Sequence, residues 1–182
     1  MRPYLVIDLE ATCDDGPRVP RHEMEIIEIG AVLVDPTTLT PLGEWQTFIR
    51  PVRHPILTPF CRKLTSITQA QVEAAPLFPE AIRALAHWLM PHPTPVFASW
   101  GAYDKSQLDQ DAHHHGIRLP LAGDHVNLKQ AFSDRLGVTK RYGMAGALAK
   151  RGIPLEGTHH RGIDDARNIS KLLPFCLGHE GG

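Results

Sequence analysis

The sequence predicts an α/β fold in which helices cover both faces of a mixed β-sheet. Three strand-like segments with short connections fill the first third of the chain, at residues 3–12, 25–35 and 43–51. Short connections favour antiparallel pairing of such strands. Beyond them, helical and strand-like segments alternate, which is typical of parallel strands joined by crossover helices. The two patterns together predict one sheet that contains both strand directions.

The first predicted strand, at 3–12, has the pattern of a central strand. The apolar residues Leu5, Val6, Ile7 and Leu9 occupy both of its alternating faces, which suits a strand covered on both sides. A loop marked by Asp-Gly-Pro separates it from the second strand, which ends before Pro36. The third strand alternates polar and apolar side chains. These features predict an antiparallel meander with the first strand in the interior of the sheet.

The rest of the chain is predicted to be mostly helical. Thr65 and Ser66 are candidate caps ahead of Gln69. Gly116 and Gly137 are suited to end helices. A fourth strand is predicted at 95–100, and a short fifth strand begins the segment 124–137. Helices are predicted at 65–75, 78–90, 103–116, within 124–137, at 143–152 and at 162–178.

Length and composition indicate one ordinary globular domain. The chain has 182 residues, of which 42% are hydrophobic and 21% are charged. We expect a single domain at 1–177 and a disordered tail at 178–182. The net charge of -1 argues against a protein that coats long nucleic acid, but it permits a site that holds one end of a strand.

Cysteine usage and hydropathy predict a cytoplasmic protein. Cys13, Cys61 and Cys176 are widely spaced and form no CxxC pair, which argues against a zinc site or a disulfide framework. The chain enters its first strand without a signal peptide. It also lacks an apolar run of the ~20 residues that a membrane span requires. We therefore expect a reducing compartment and no membrane partner.

Four acidic residues interrupt otherwise apolar patterns. Asp8 and Glu10 lie on one face of the first strand, roughly 6.6–6.8 Å apart along it, where two carboxylates repel each other and lose hydration. Asp104 and Asp165 each begin a predicted helix in line with its apolar face. Each aspartate alone could simply complement the helix dipole. Taken together, the four predict a cluster at one end of the sheet, where ligands of α/β folds collect.

Such a cluster predicts bound divalent cations. Four convergent carboxylates cannot all ionise without neutralising charge. Oxygen ligands without cysteine favour Mg²⁺ or Mn²⁺, and two such ions about 3.5–4 Å apart assist phosphodiester cleavage. His159 and His160 precede Asp165, and histidine is a side chain whose ordinary titration range suits a general base. The alternative is that they are ordinary structural or solvated histidines, since the chain has 11 of them.

Four segments resemble the motifs of the DEDDh 3′→5′ exonucleases: VIDLEATC, LTSITQAQV, SWGAYDKSQL and HHRGIDDARNI. They are most similar to the group that contains the histone-mRNA 3′-end exonuclease and the enhancer-of-RNAi proteins. The resemblance extends from Tyr4 to about Leu173, and the spacing His-x-x-x-x-Asp is that of the histidine-containing branch. It implies a ribonuclease H-like fold, with a mixed five-stranded sheet between two layers of helices.

The resemblance also implies roles for particular residues. Asp8, Glu10, Asp104 and Asp165 would hold two Mg²⁺ or Mn²⁺ ions, and His160 would be the general base. Contacts to the terminal nucleotides would come from Ala11, Thr12, Leu64, Thr65, Ile67 and Trp100. Candidates for phosphate contacts are Arg62, Lys63, Lys105, Lys140, Arg141 and Arg161.

The leading hypothesis is a metal-dependent exonuclease that shortens single-stranded RNA from its 3′ end and releases 5′-mononucleotides. A single-strand DNA exonuclease would use the same residues on a different polymer. A non-catalytic protein that binds nucleic-acid ends, and a phosphatase of small nucleotides, are the alternatives of a different class. The presence of both Glu10 and His160 argues against the non-catalytic alternative.

Overall fold

Five strands form one mixed sheet in the computed structural model, which describes residues 1–179. The strands are β1 (Tyr4–Ala11), β2 (Ile26–Val34), β3 (Pro41–Phe48), β4 (Val96–Ser99) and β5 (His125–Asn127). Their order is β3-β2-β1-β4-β5. The pairs β1–β2 and β2–β3 are antiparallel, whereas β1–β4 and β4–β5 are parallel. The prediction of a mixed five-stranded sheet is confirmed.

Helices cover both faces of this sheet. They are α1 (Pro59–Thr65), α2 (Gln69–Glu73), α3 (Phe78–Leu89), α4 (Tyr103–His115), α5 (Leu128–Arg135), α6 (Met144–Lys150) and α7 (Gly162–Leu177). A short 3-10 helix spans Arg21–Glu23. No helix within residues 1–179 is both long enough and apolar enough to span a bilayer.

Two local expectations in the helical region are wrong. The helix predicted at 65–75 is the shorter α2, preceded by a separate helix, α1. Thr65 and Ser66 do not cap α2, because Thr65 is the last residue of α1 and Ser66 ends that helix in a left-handed conformation with φ 60°. The cap of α2 is Thr68, whose hydroxyl accepts the Gln71 N–H while the Gln71 side chain accepts the Thr68 N–H.

The expected disordered tail at 178–182 is only partly described. Gly178 ends α7 in the left-handed conformation, and the His179 N–H donates to the Pro174 carbonyl oxygen. Residues 178 and 179 thus make the hydrogen bonds that end α7, and residues 180–182 lie outside the described part of the chain.

The alternation of β1 divides the core into two layers. Leu5, Ile7 and Leu9 pack towards α3 and α4. Val6 packs on the opposite face, towards α5, α6 and α7. Because side chains alternate along a strand, Asp8 shares this second face with Val6. The sheet therefore presents its central carboxylates to the side that α7 covers.

Helix α7 lies unusually close to the sheet where it begins. A Cβ atom added to Gly30 of β2 would overlap the carbonyl carbon of Gly162, the first residue of α7. Only residues without a side chain permit this approach of two backbones. The contact fixes the first turn of α7, which carries Asp165, beside the end of β1.

Candidate active site

The four predicted carboxylates converge on one cavity of about 380 Å³. Asp8 and Glu10 reach it from β1, Asp104 from the first turn of α4 and Asp165 from the first turn of α7. His160 lines the same cavity. The structure thus brings together residues that lie far apart in the sequence, as the acidic residues within otherwise apolar segments predict.

The position of Asp104 follows from a gap between two strands. β1 and β4 pair only as far as Val6 and Ala98, so the two strands separate beyond this point. The carboxylate of Asp104 fills the gap and accepts the Leu9 N–H at 3.2 Å. β1 has an antiparallel neighbour on one side and a parallel neighbour on the other, so the cavity lies at a topological switch point of the sheet.

Burial strongly perturbs the acidic cluster. Burial and the charges of Asp104, Glu10 and Asp165 raise the pKa of Asp8 well above its usual range. Burial raises the pKa of Glu10 to about 8, with further contributions from neighbouring carboxylates. Burial also raises the pKa of Asp104 to about 7, against the lowering effect of its hydrogen bond from Leu9. Without a cation, the cluster therefore retains protons near neutral pH.

The donor set fits a hard divalent cation. Oxygen atoms of Asp8, Glu10 and Asp165 lie within 4.8 Å of one another. Carboxylate oxygens are the ligands that Mg²⁺ and Mn²⁺ prefer. A cation bound there would take the place of the protons that the raised pKa values retain.

The two adjacent histidines contact Asp165 in different ways. Nδ1 of His159 lies 3.0 Å from both carboxylate oxygens of Asp165. His160 instead donates its backbone N–H to Asp165 Oδ2 at 2.9 Å. The two rings stack with their centroids 4.0 Å apart. Burial and the neighbouring His159 lower the pKa of His160, so its imidazole is neutral and able to accept a proton at pH 7.

Three of the six expected substrate residues line the cavity. They are Ala11, Leu64 and Trp100. The Trp100 indole N–H donates to the Tyr142 carbonyl oxygen at 3.0 Å, and its ring packs against Phe132. Trp100 is therefore a fixed wall of the cavity, whereas Leu64 is partly exposed at its rim.

The other three expected substrate residues do not reach the cavity. The Thr12 hydroxyl accepts the Glu25 N–H at 2.9 Å. The Thr65 hydroxyl donates to the Cys61 carbonyl oxygen at 2.8 Å, and Ile67 is fully buried in a small apolar cluster beneath α1. The segments that carry these residues adjoin the site, but their side chains point into the protein and support it from behind.

The cavity is also lined by residues to which the sequence assigned no role, namely Leu9, Cys13, Met24, Tyr103, Gly143 and Met144. Tyr103 is the most informative of them because it is an exposed aromatic directly before Asp104. The Arg21 guanidinium lies 4.8 Å from the centre of its ring. An aromatic residue next to a predicted ligand was the one signal in the sequence that could have identified it.

A carboxylate cluster at a switch point of an α/β sheet is an arrangement typical of metal-dependent nucleases. Residues 5–173 match the family model RNase_T, described as Exonuclease. The chain belongs to this exonuclease family.

Two curated relatives and one solved structure illustrate the similarity. ERI1 exoribonuclease 3 of Mus musculus is 33% identical over 182 residues, which cover 93% of this chain and 52% of the relative. The probable 3′-5′ exonuclease KapD of Bacillus subtilis is 32% identical over 171 residues, covering 93% of this chain and 82% of the relative. The nuclease domain of 3′hExo, a DEDDh family member solved bound to rAMP, superposes with a TM-score of 0.87 at 28% identity.

Coverage differs among these relatives. The alignment with 3′hExo covers 97% of this chain and 92% of that structure. The chain spans about half the length of the curated ERI1 relatives that it matches. The resemblance to DEDDh exonucleases and the ribonuclease H-like fold class are confirmed.

Proposed function

We propose that this chain is a metal-dependent 3′→5′ exonuclease that removes 5′-mononucleotides from single-stranded RNA. The observation that carries the proposal is the convergence of Asp8, Glu10, Asp104 and Asp165 on one cavity that also contains His160. We assign the exonuclease domain to residues 1–177. A cytoplasmic location is part of the proposal, since it suits the free thiols at Cys13, Cys61 and Cys176.

We assign the four carboxylates to two Mg²⁺ or Mn²⁺ ions. When bound, such ions lower the pKa of a water molecule and stabilise negative charge on the leaving oxygen. The protein's own contribution is to hold the carboxylates in place. Asp104 is held by the Leu9 N–H, and Asp165 is held by the His160 N–H and the His159 imidazole.

We assign proton transfer to His160. Its lowered pKa keeps the imidazole neutral at pH 7, which is the form that can accept a proton from the attacking water. The imidazole of His159 is engaged with the Asp165 carboxylate at 3.0 Å. We therefore assign His159 to orient Asp165 and His160 to accept the proton.

The shape and lining of the cavity support action on a strand end. Its volume of about 380 Å³ suits a nucleotide better than a long duplex, and Tyr103, Trp100 and Leu64 provide flat or apolar surfaces for bases. The choice of RNA rests on the relatives, which include exoribonucleases and a nuclease domain bound to rAMP. Tyr103→Ala should raise the KM for RNA about 5–100-fold if the ring stacks on a base.

A time course on 5′-labelled single-stranded RNA and DNA of matched sequence tests the proposal. We expect a ladder that shortens one nucleotide at a time from the 3′ end with Mg²⁺ or Mn²⁺, faster on RNA. EDTA and the variant Asp8→Asn should each abolish it. Faster shortening of DNA would reassign the substrate, and intact RNA and DNA with both metals would overturn the proposal.

A further inference from the structure

Glu28 is a fifth carboxylate behind the site, and it is completely buried. It lies in β2 directly opposite Glu10, and its charge contributes to the raised pKa values of Glu10 and Asp8. A buried carboxylate that repels neighbouring carboxylates requires hydrogen-bond donors or a cation to stabilise its charge. Glu28 does not line the cavity, so those partners lie elsewhere.

Both oxygens of Glu28 hold the start of α7. Oε2 accepts the Gly162 N–H at 3.0 Å and the Arg161 Nε–H at 3.1 Å. Oε1 accepts from Arg161 Nη2 at 3.3 Å and from the Gln46 side-chain amide at 3.1 Å. Such charge-assisted and bidentate contacts fix both position and angle. The Glu28 carboxylate therefore holds Arg161 and Gly162 in place.

The residue immediately before this pair is His160, which has an unusual backbone. Its φ is 64°, in the left-handed region that residues with a side chain rarely adopt. Such a conformation persists only where the surroundings hold it on several sides. The Asp165 carboxylate holds it from the cavity side through the His160 N–H, and Glu28 holds the next two residues from the sheet side.

We propose that Glu28 is a positioning residue that aims the His160 imidazole into the cavity by clamping Arg161 and Gly162. The inference rests on the proposed exonuclease function and goes beyond it. It also changes the interpretation of Arg161, a candidate phosphate contact in the sequence. Its guanidinium faces Glu28 and lies 5.2 Å from the centre of the Phe48 ring.

The surrounding packing makes the clamp stiff. Gly162 lies against Gly30 so closely that neither position accommodates a Cβ without displacement. Arg161 is confined between Glu28 and Phe48. Loss of the Glu28 charge would leave Arg161 without its partner and allow the turn at His160 to relax. Loss of the Glu28 charge should lower kcat and leave the KM for RNA unchanged, because the residues that line the cavity stay the same.

A double-mutant cycle between Glu28→Gln and His160→Ala tests whether Glu28 acts through His160. The quantity measured is the single-turnover rate at saturating enzyme. We expect Glu28→Gln to lower the rate about 10–100-fold in the wild-type background and less than about 2-fold in the His160→Ala background, because coupled residues are non-additive. Equal losses in both backgrounds would overturn the inference. Glu44→Gln is the matched control, since Glu44 also pairs with α7, through Arg167, but away from the turn. It should leave the rate unchanged.

Arg161→Gln separates the clamp from direct RNA binding. We expect a loss of kcat with an unchanged KM for RNA and an unchanged salt dependence. A raised KM with a weaker salt dependence would place Arg161 on a phosphate and overturn its assignment to the clamp. Thermal melting of each variant confirms that it is folded at the assay temperature.

A second readout does not depend on activity. Backbone chemical shifts of His160, measured by NMR, report whether its φ remains left-handed. They should change in Glu28→Gln and stay the same in Glu44→Gln. Unchanged shifts in Glu28→Gln would overturn the inference even if the protein is an active exonuclease. Inactivity of the wild-type protein would instead overturn the proposed function and leave this measurement valid.

Discussion

Replacing Glu10 with glutamine should stabilise the metal-free protein above pH 7. Burial and nearby carboxylates raise the pKa of Glu10 from 4.5 to about 8. Between these values the folded state binds more protons than the unfolded state, so the free energy of unfolding falls as the pH rises. Below pH 4.5 Glu10 is protonated in both states, so the wild type has its full stability there and loses it as the pH rises through about 8.

The expected size follows from this difference in pKa. A pKa difference of one corresponds to about 1.4 kcal/mol, so the rise to about 8 sets a ceiling on the order of 5 kcal/mol above pH 8. Asp8 and Asp104 share the same surroundings, and each carboxylate responds to the protonation of the others. We therefore expect on the order of 3 kcal/mol for Glu10→Gln, which raises Tm by about 6–12 °C in a chain of this length.

Thermal melting in EDTA between pH 5 and pH 9 measures this effect. The Tm of Glu10→Gln should exceed that of the wild type by an amount that grows with pH. Added Mg²⁺ or Mn²⁺ should stabilise the wild type more than the variant, because the carboxylate is a ligand only in the wild type. The exposed change Glu73→Gln is the control. Parallel pH curves for wild type and Glu10→Gln, or equal stabilisation by metal, would show that Glu10 is neither a buried carboxylate with a raised pKa nor a metal ligand.

Three further substitutions test the metal ligands, the general base and the packing of α7 on the sheet. Asp8→Ala should abolish cleavage while the metal-free protein melts no lower than the wild type, because a repelling carboxylate is removed; retained cleavage would contradict the metal assignment. His160→Ala should lower the rate about 10²–10⁴-fold with metal binding intact in a titration, and a larger loss in His159→Ala would exchange the two roles. Gly30→Ala should cost about 3 kcal/mol or more in urea unfolding, since its Cβ would collide with Gly162; near-normal stability would contradict the close approach of β2 and α7.

The strands and the acidic cluster could be predicted because their signals are local. Asp8 and Glu10 stand out within an apolar strand, and Asp104 and Asp165 stand out at helix starts. Helix α1 carried no comparable signal. It is seven residues long, which is too short to show a helical period, and its order depends on the Thr58 cap.

Side-chain direction and long-range packing could not be predicted in the same way. A family motif identifies the segments that contain Thr12, Thr65 and Ile67, but only the folded backbone determines that their side chains point inward. Met144 reaches the cavity from a helix far along the chain. The role of Glu28 could not be predicted either, because nothing in the strand pattern indicates that its carboxylate binds Arg161 and Gly162.

In the proposed reaction, water activated at this cavity attacks the last phosphodiester of an RNA strand. Cleavage of single-stranded RNA in oxygen-18-labelled water, followed by mass spectrometry of the products, tests this reaction. We expect nucleoside 5′-monophosphates that carry one labelled oxygen on phosphorus, and no product from Asp8→Ala. Nucleoside 3′-phosphates, or 5′-monophosphates without label, would contradict it.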